Sequence, residues 1–410
     1  MIKNLLYKIY DLFTFKQLPF LRNFIALENL SIEQLKEYQL NYLKDTAKEF
    51  GIHISSWDDF YKLPITTKQD LPSQPNNPNE QIHTHETSGS TGQPRVIWVP
   101  AESWYRKDAI FTRSWLRMGR KNQWVFRLIS GEPKYPLYDW FRNVKAMNYK
   151  TIDQRHVDWV VKHRPFLIHG PGGAIRQLCE KIIDQGHLDI LQQIKIHWCS
   201  ESSSGHKQRL DPLVKQFCEQ YGLAELPTVG ATDGEGNIRV VMEQGVVEVL
   251  DDNDQPAPEG EEGYIVVTDY KNYQTPIFRY KCGDRGKMKY YTNTEGRSYY
   301  VLYDIVGRGV DYYNGPEVKK AIGWWVVAPI SHILGDVIEK WRCEIKPKEQ
   351  LLTLYVKFKT VNNFEALKPY AKWVEDNVGL QTQFVIAEEE AYDIYWKNKL
   401  VKVTLINSGD

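Results

Sequence analysis

Between residues 96 and 306 the chain changes texture once, and that change limits the folds open to it. In the first part, VIWV at 96–99, WVFRLI at 124–129 and IKIHWC at 194–199 read as strands, while 173–186 and 205–220 read as helices. Alternation of strand and helix is the pattern of an α/β sheet. From 238 on, IRVVME, GVVEVLD, GYIVVTDY, KMKYYTN and SYYVLYDIVGR are short alternating runs split by Gly, Asn and Asp. They read as antiparallel hairpins. Beyond Arg308 the pattern is that of a small α+β unit. A helix is expected at 328–339, a strand at LLTLYVKFK (351–359), a helix at 363–378 and a strand at QFVIAE (383–388). The chain has 410 residues, and a single core rarely outgrows roughly 250–300. Two domains are therefore expected, 1–308 and 309–410, with the boundary near Gly309. Neither a low-complexity linker nor an internal repeat is present. The fold class expected is α/β: a large N-terminal body of sheets, helices and β-hairpins, followed by a small C-terminal α+β lid.

Charge and hydropathy exclude several functions. Lys and Arg number 52 and so do Asp and Glu. A net charge of zero gives no reason to expect a nucleic-acid partner. No run of eighteen apolar residues exists, so no transmembrane segment is expected. Near the N-terminus Leu5, Ile9, Leu12 and Phe13 share one helical face, broken by Lys8, Asp11 and Lys16. That reads as a helix docked on its own domain, with a membrane-surface helix as the alternative. The five cysteines show no CxxC spacing, which suits a reducing, cytoplasmic location. Residues 30–50 read as a helix opened by a capping box of Ser31 and Gln34. Residues 56–80 hold Pro64, Pro72, Pro75 and Pro78 and should be turns and extended chain.

The segment richest in chemistry is HETSGSTGQPR, His85–Arg95. Glycines let a backbone approach a ligand closely. Consecutive amides in such a turn form an anion-binding nest. The hydroxyls of Ser88, Ser90 and Thr91 suit phosphate oxygens, and Arg95 adds a cation. The pattern GxxxxGK[ST] is not met, so this is no Walker-type loop. On residue type alone a polar surface turn remains the alternative.

The whole string, however, resembles the phosphate loop of the adenylate-forming enzymes, the superfamily of acyl-CoA synthetases and peptide-synthetase adenylation domains. Thr87, Ser88, Gly89, Ser90, Thr91, Gly92 and Arg95 fall on its consensus, with Arg95 where Lys is commoner. Upstream, LPITTKQDL (63–71) is similar to a segment of the phenylacetate–CoA ligases and their capsule-biosynthesis relatives. Downstream, RYKCGD (279–284) looks like the family's "YRTGD", which implies that Asp284 holds the ribose hydroxyls. Gly307-Arg308 matches the "GR" ahead of the interdomain hinge, and Arg308 would contact ribose or phosphate. Near the C-terminus NKLVKV (398–403) is similar to "GK..RV". Lys399 then falls on the catalytic lysine, with Lys397 and Lys402 as rivals.

One landmark has two candidates. The family's "YG.[ST]E" supplies an adenine contact and a Mg²⁺ carboxylate. Tyr221-Gly222-Leu223-Ala224-Glu225 matches it by letter. With 205–220 read as a helix, Tyr221-Gly222 becomes the helix stop, and the motif moves to Gly230, Ala231, Thr232 and Asp233. Asp233 is the expected metal ligand and Glu225 the fallback.

The resemblance implies a carboxylate and ATP giving an acyl-adenylate and pyrophosphate, with Mg²⁺, and then transfer to an acceptor. Coenzyme A is the first expectation. A carrier-protein thiol, an amine or a hydroxyl are the alternatives, and a homodimer is a candidate assembly. Residues 233–262 hold no Cys and no His, so no zinc is expected. The hinge is expected at 309–311, with Val310 and Asp311. Candidate pocket walls are His85, the Ser130–Trp140 segment with Tyr135 and Tyr138, and Phe166–Gly173 with Gly170. Core packing is the competing reading for each of these rings. His156, His163 and His169 match no metal-ligand spacing. Trp324-Trp325 reads as packing between domains. A non-catalytic nucleotide-binding scaffold is the rival from another class.

Overall fold

The computed structural model describes residues 17–80, 82–86, 95–129, 131–133, 136–149, 151–200, 207–306, 312–314, 319–321, 326, 330, 333–334, 337–386 and 403–405. The apolar N-terminal face of Leu5 to Phe13 lies outside them. Among the described residues no helix is long and apolar enough to cross a membrane. Contacts divide the chain into two units, the first comprising residues up to Glu86 and Val96–Ile305, and the second Thr87–Arg95 together with the residues from Val306 on.

The first unit opens with helices α1 (Gln17–Leu27) and α2 (Ile32–Glu49). The expected capping box is present at α2. Ser31 Oγ accepts from the Gln34 amide at 3.3 Å, and the Gln34 side chain accepts from the Ser31 amide at 2.9 Å. Helix α3 (Trp57–Tyr61) and a 3-10 turn (Lys68–Asp70) interrupt the proline-rich 56–80 stretch. Strands β1 (Ile82–Glu86) and β2 (Val96–Pro100) pair antiparallel, with Glu86 opposite Val96. The two ends of the 87–95 segment are thereby held side by side.

Next come α4 (Ser103–Arg117), β3 (Val125–Ile129), α5 (Pro136–Phe141), β4 (Val144–Asn148), α6 (Gln154–His163), β5 (Leu167–Pro171), α7 (Gly172–Asp184), α8 (Leu188–Leu191), β6 (Lys195–Cys199), α9 (Lys207–Leu210) and β7 (Gln216–Glu219). Strands β3 to β7 form a parallel sheet in the order β4-β3-β5-β6-β7. The expected helix at 205–220 is corrected. Helix α9 passes into a 3-10 turn (Asp211–Leu213) with Pro212 near its start, and Val214 is already extended. Proline removes an amide and ends the helical ladder there. Residues 216–219 become the edge strand, with Phe217 and Cys218 buried. Helix α4 carries no clean apolar stripe in the sequence because Arg106, Asp108, Arg113 and Ser114 are buried together with Ala109, Ile110, Phe111 and Trp115.

The hairpin region follows as expected: β8 (Gly230–Thr232), β9 (Ile238–Val240), β10 (Val246–Leu250), β11 (Glu262–Thr268), β12 (Tyr280–Thr292) and β13 (Ser298–Val306). They form one sheet in the order β10-β11-β12-β13-β9-β8. Its inner face, with Ile265, Val267 and Tyr280, packs against Phe24 of α1 and Leu35 of α2.

In the second unit β14 (Tyr312–Asn314) pairs with β15 (Lys319–Ala321). Strands β16 (Ile338–Lys346) and β17 (Leu351–Phe358), helix α10 (Lys368–Val378) and strands β18 (Gln381–Ile386) and β19 (Val403–Leu405) complete it. The sheet order is β18-β17-β16-β19. Tyr370 and Val374 of α10 close a core with Cys343, Leu352, Leu354 and Val356. Half of the helix expected at 328–339 lies outside the described residues, and Ile338 and Glu339 belong to β16.

Candidate active site

Open parallel sheets bind ligands beyond the carboxyl ends of their strands, where several loops converge. Here those ends are Ile129, Pro171, Cys199 and Glu219. One step inside them, register builds a polar row on the face under α4. Arg127 lies opposite His169, His169 opposite His197, and His197 opposite Cys218. Helix α4 supplies the partners. Asp108 Oδ1 accepts from Arg127 at 3.0 Å, and the Phe111 ring sits 4.7 Å from that of His169. Trp115 Nε1 donates to His197 Nδ1 at 3.2 Å. That nitrogen is therefore an acceptor, and the 3.0 Å approach of His169 Nδ1 assigns a proton to His169. Burial pushes His197 down to about 3. Burial, then His197, Arg127 and Lys107, holds His169 well below the usual range. Both rings are neutral at neutral pH.

The histidines named by the sequence form no cluster. His156 contacts Asp153 Oδ1 and the Asn148 carbonyl, each at 3.0 Å. His163 stacks on Trp159 with centroids 4.5 Å apart. Among the described residues no group of three or more His, Cys, Asp or Glu is placed to hold a metal. His85 is half-buried on β1, and burial, then Lys107 and His83, lowers it to about 4. Gly170 is buried, and a Cβ there would stand 2.7 Å from Leu128 Cβ. A Cβ on Gly172 would stand 2.0 Å from the Trp198 ring. Glycine at these positions lets the end of β5 and the start of α7 close against the sheet.

Past the end of β7 lies a second group. Tyr221 exchanges backbone hydrogen bonds with Gly230, at 3.0 and 3.1 Å. Its hydroxyl donates to Asp284 Oδ2 at 2.7 Å. Glu225 is buried and accepts from the Tyr280 hydroxyl at 2.6 Å. The reading of Tyr221-Gly222 as a helix stop is therefore corrected, because a strand precedes it.

Asp233 occupies a different setting. Its Oδ1 accepts from the amides of Glu235 and Asn237 at 2.7 and 3.1 Å. Its Oδ2 accepts from Asn237 Nδ2 and the Tyr299 hydroxyl at 2.7 and 2.9 Å. A carboxylate has about four lone-pair sites, and these donors take them. Guanidiniums lie close by: Arg239 sits 4.6 Å from the Tyr299 ring centroid, and Arg117 donates to the Thr232 carbonyl at 3.4 Å. Thr232 is buried, and its hydroxyl accepts from the Gly234 amide at 3.1 Å. Gly230 and Ala231 are buried in β8. A carboxylate spent on its own turn among arginines does not fit Mg²⁺. Glu225, whose carboxylate accepts one side-chain hydrogen bond among the described residues, from Tyr280, does.

No family sequence model and no curated protein sequence matches the chain. Solved structures share its fold. One is 2-hydroxyisobutyryl-CoA ligase in the postadenylation state with 2-HIB-AMP, at a TM-score of 0.60 and 17% identity, covering 95% of this chain and 90% of that one. The fold is that of the adenylate-forming ligases. The open conformation of the same ligase with 2-HIB-AMP and CoA gives 0.54 at 17% identity over 91% and 88%. GH3.15 acyl acid amido synthetase gives 0.50 at 13% identity over 84% and 82%.

On this adenylate-forming fold the residues singled out by the sequence separate clearly. Thr87, Ser88, Gly89, Ser90, Thr91, Gly92, Tyr135, Arg308, Val310, Asp311, Trp324, Trp325, Lys397, Lys399 and Lys402, and the side chain of Tyr138, lie outside the described residues. Arg95 is half-buried just ahead of β2. Asp284 meets Tyr221, and Glu225 meets Tyr280. Two residues were missed. Tyr221 was set aside as a turn position, although its letter match and Pro212 upstream carried the signal. Lys107 carried none, since a lysine on a helix normally faces water.

Proposed function

We propose that the protein activates a carboxylic acid with ATP and passes the acyl group to coenzyme A, as a relative of the phenylacetate–CoA ligase branch. The observation that carries the reading is the pairing of Tyr221 with Asp284, 63 residues apart in sequence, past the last strand of the parallel sheet. A carboxylate suits the vicinal hydroxyls of a ribose, and the adjoining ring offers a flat apolar wall for a purine. The Tyr221 hydroxyl holds one Asp284 oxygen in place and so orients the carboxylate.

In the reaction a carboxylate oxygen attacks the α-phosphorus in line. The new O–P bond forms as the bond to the pyrophosphate oxygen breaks. Catalysis is positioning and charge stabilisation. The 87–95 segment would hold the β- and γ-phosphates with its amides and hydroxyls, aided by Arg95. Arg308 would contact ribose or phosphate. Lys399 would neutralise charge between the carboxylate and the α-phosphate. Residues 1–308 would form the adenylation body, and 309–410 a small domain turning about 309–311 between the half-reactions. Glu225 would hold Mg²⁺, which supplies charge neutralisation at the phosphates. The test is carboxylate-dependent ATP–pyrophosphate exchange over a panel of aryl, acyl and amino acids. Exchange with at least one acid is expected, and its absence with all of them sinks the proposal.

A further inference from the structure

We infer that the acid taken by this protein carries a second anionic group, and that Lys107, backed by Arg127, is the anchor that selects it. The inference rests on the carboxylate-activating reading above.

Charge is unevenly matched near the carboxyl edge of the parallel sheet. Three cations, Lys107, Arg127 and Arg142, lie near two carboxylates, Asp108 and Asp139. Asp108 is already shared: Oδ1 accepts from Arg127 at 3.0 Å and Oδ2 from Arg142 at 2.5 Å. Arg142 also donates to the Thr112 hydroxyl. Among the described residues Lys107 has neither a hydrogen bond nor an ion pair. Its ammonium lies 5.7 Å from the centroid of the Phe111 ring, and the Arg127 guanidinium lies 5.4 Å from that centroid. Two cations thus lie against one aromatic ring, and among the described residues Lys107 pairs with no carboxylate.

Position turns this surplus into a site. In the row Arg127–His169–His197 the two histidines are buried and Arg127 is half-buried. Side chains alternate along a strand, so Ile129, Pro171 and Cys199 follow on the same face at the carboxyl edge, and all three are half-buried. Lys107 is half-buried as well and interacts electrostatically with Cys199 and with His85. His85 and His169 are both held neutral, so neither competes for an anion nor adds to the repulsion. Burial, and then Arg127, disfavours the ammonium more than Cys199 and the shared Asp108 favour it, so its pKa is lowered. A ligand carboxylate against it removes that penalty. In the proposed reaction Lys399 would serve the reacting carboxylate, so the group assigned to Lys107 is a second one, at the far end of the acid.

The experiment compares acids that differ by one distal carboxylate: glutarate with butyrate, and 4-carboxyphenylacetate with phenylacetate. Lys107→Met keeps length and volume, and Lys107→Glu reverses the charge. In ATP–pyrophosphate exchange the wild-type protein is expected to favour the diacid at least tenfold in kcat/KM. Lys107→Met should lower that ratio at least tenfold through KM. Lys107→Glu should turn the preference toward 4-aminobutyrate. A wild-type preference for the monoacids, or an equal loss for both acids in Lys107→Met, overturns the inference while leaving the adenylation reading intact. If no acid supports exchange, the adenylation reading falls, and thermal shift with the same acids decides the anchor separately. Stabilisation by glutarate in the wild type and not in Lys107→Met supports it, and no stabilisation by either diacid overturns it.

Discussion

Glu243 is where the loss of one charge should be felt most. It is 1% exposed and accepts from Arg113 Nη1 at 2.5 Å, with Arg113 equally buried. Arg113 Nη1 also donates to the Phe24 carbonyl of α1 at 3.1 Å. Arg117 of α4 pairs with Glu28 at 2.6 Å, and Arg239 of β9 faces both carboxylates. Three arginines and two glutamates thus tie α1, α4 and the hairpin sheet together. Burial pushes the Glu243 carboxyl up, but Arg113, Arg239 and Arg117 together more than offset it and hold it at about 2 against an ordinary 4.5. At roughly 1.36 kcal/mol per pH unit that displacement is about 3 kcal/mol, near the 3–5 kcal/mol typical of breaking a buried pair. Glu243→Gln keeps the shape but leaves three buried guanidiniums facing Glu28 alone. The sign follows from the depressed folded-state value. The contribution is present above the unfolded value near 4.5 and is lost as pH falls through about 2. Urea unfolding of the first unit, followed by tryptophan fluorescence, should show a loss of about 3 kcal/mol at pH 7. The difference from wild type should shrink steadily below pH 4. Replacing Arg113 and Glu243 together by Leu should recover part of the loss, because the desolvated charges go together. A loss under about 1 kcal/mol at pH 7, or a difference constant from pH 7 to pH 3, would refute this account.

The other predictions concern the proposed reaction. Asp284→Ala removes a charged acceptor worth about 1.5–3 kcal/mol per bond. The KM for ATP in the exchange assay should therefore rise about tenfold or more, and an unchanged KM would remove Asp284 from the nucleotide site. Glu225→Ala should raise the half-saturating Mg²⁺ concentration, whereas Asp233→Ala should lower Tm by opening its turn and leave that concentration in place. The opposite pattern would return the metal to Asp233. Lys399→Ala should reduce exchange by two orders of magnitude or so, the scale of removing one transition-state charge contact, while ATP still protects the protein in thermal shift. Exchange at the wild-type rate would move the role to Lys397 or Lys402.

Much of the fold was legible from local pattern. The Ser31–Gln34 box, the VIWV, WVFRLI and IKIHWC strands, and the hairpins after residue 238 follow from spacing and caps, which act within a few residues. Failures came where burial overrides local pattern. Residues 216–219 looked helical because an edge strand of a parallel sheet, buried by its neighbours, shows apolar residues in succession rather than alternation. The sequence shows no clear helix at α4 because its buried face includes arginines and Asp108, whose partners lie on β3, after β9 and after α1.

The single change of texture determined that an α/β body is followed by antiparallel hairpins, and local motifs marked Asp284, Glu225 and Asp233 as residues worth weighing. Which of them share a site was decided by tertiary structure alone. Strand order sets the neighbours of a side chain, and strand order depends on contacts between residues far apart in the chain. That is why Tyr221 meets Asp284, why Asp233 is closed into its own turn, and why Lys107 and Arg127 stand against one ring, that of Phe111.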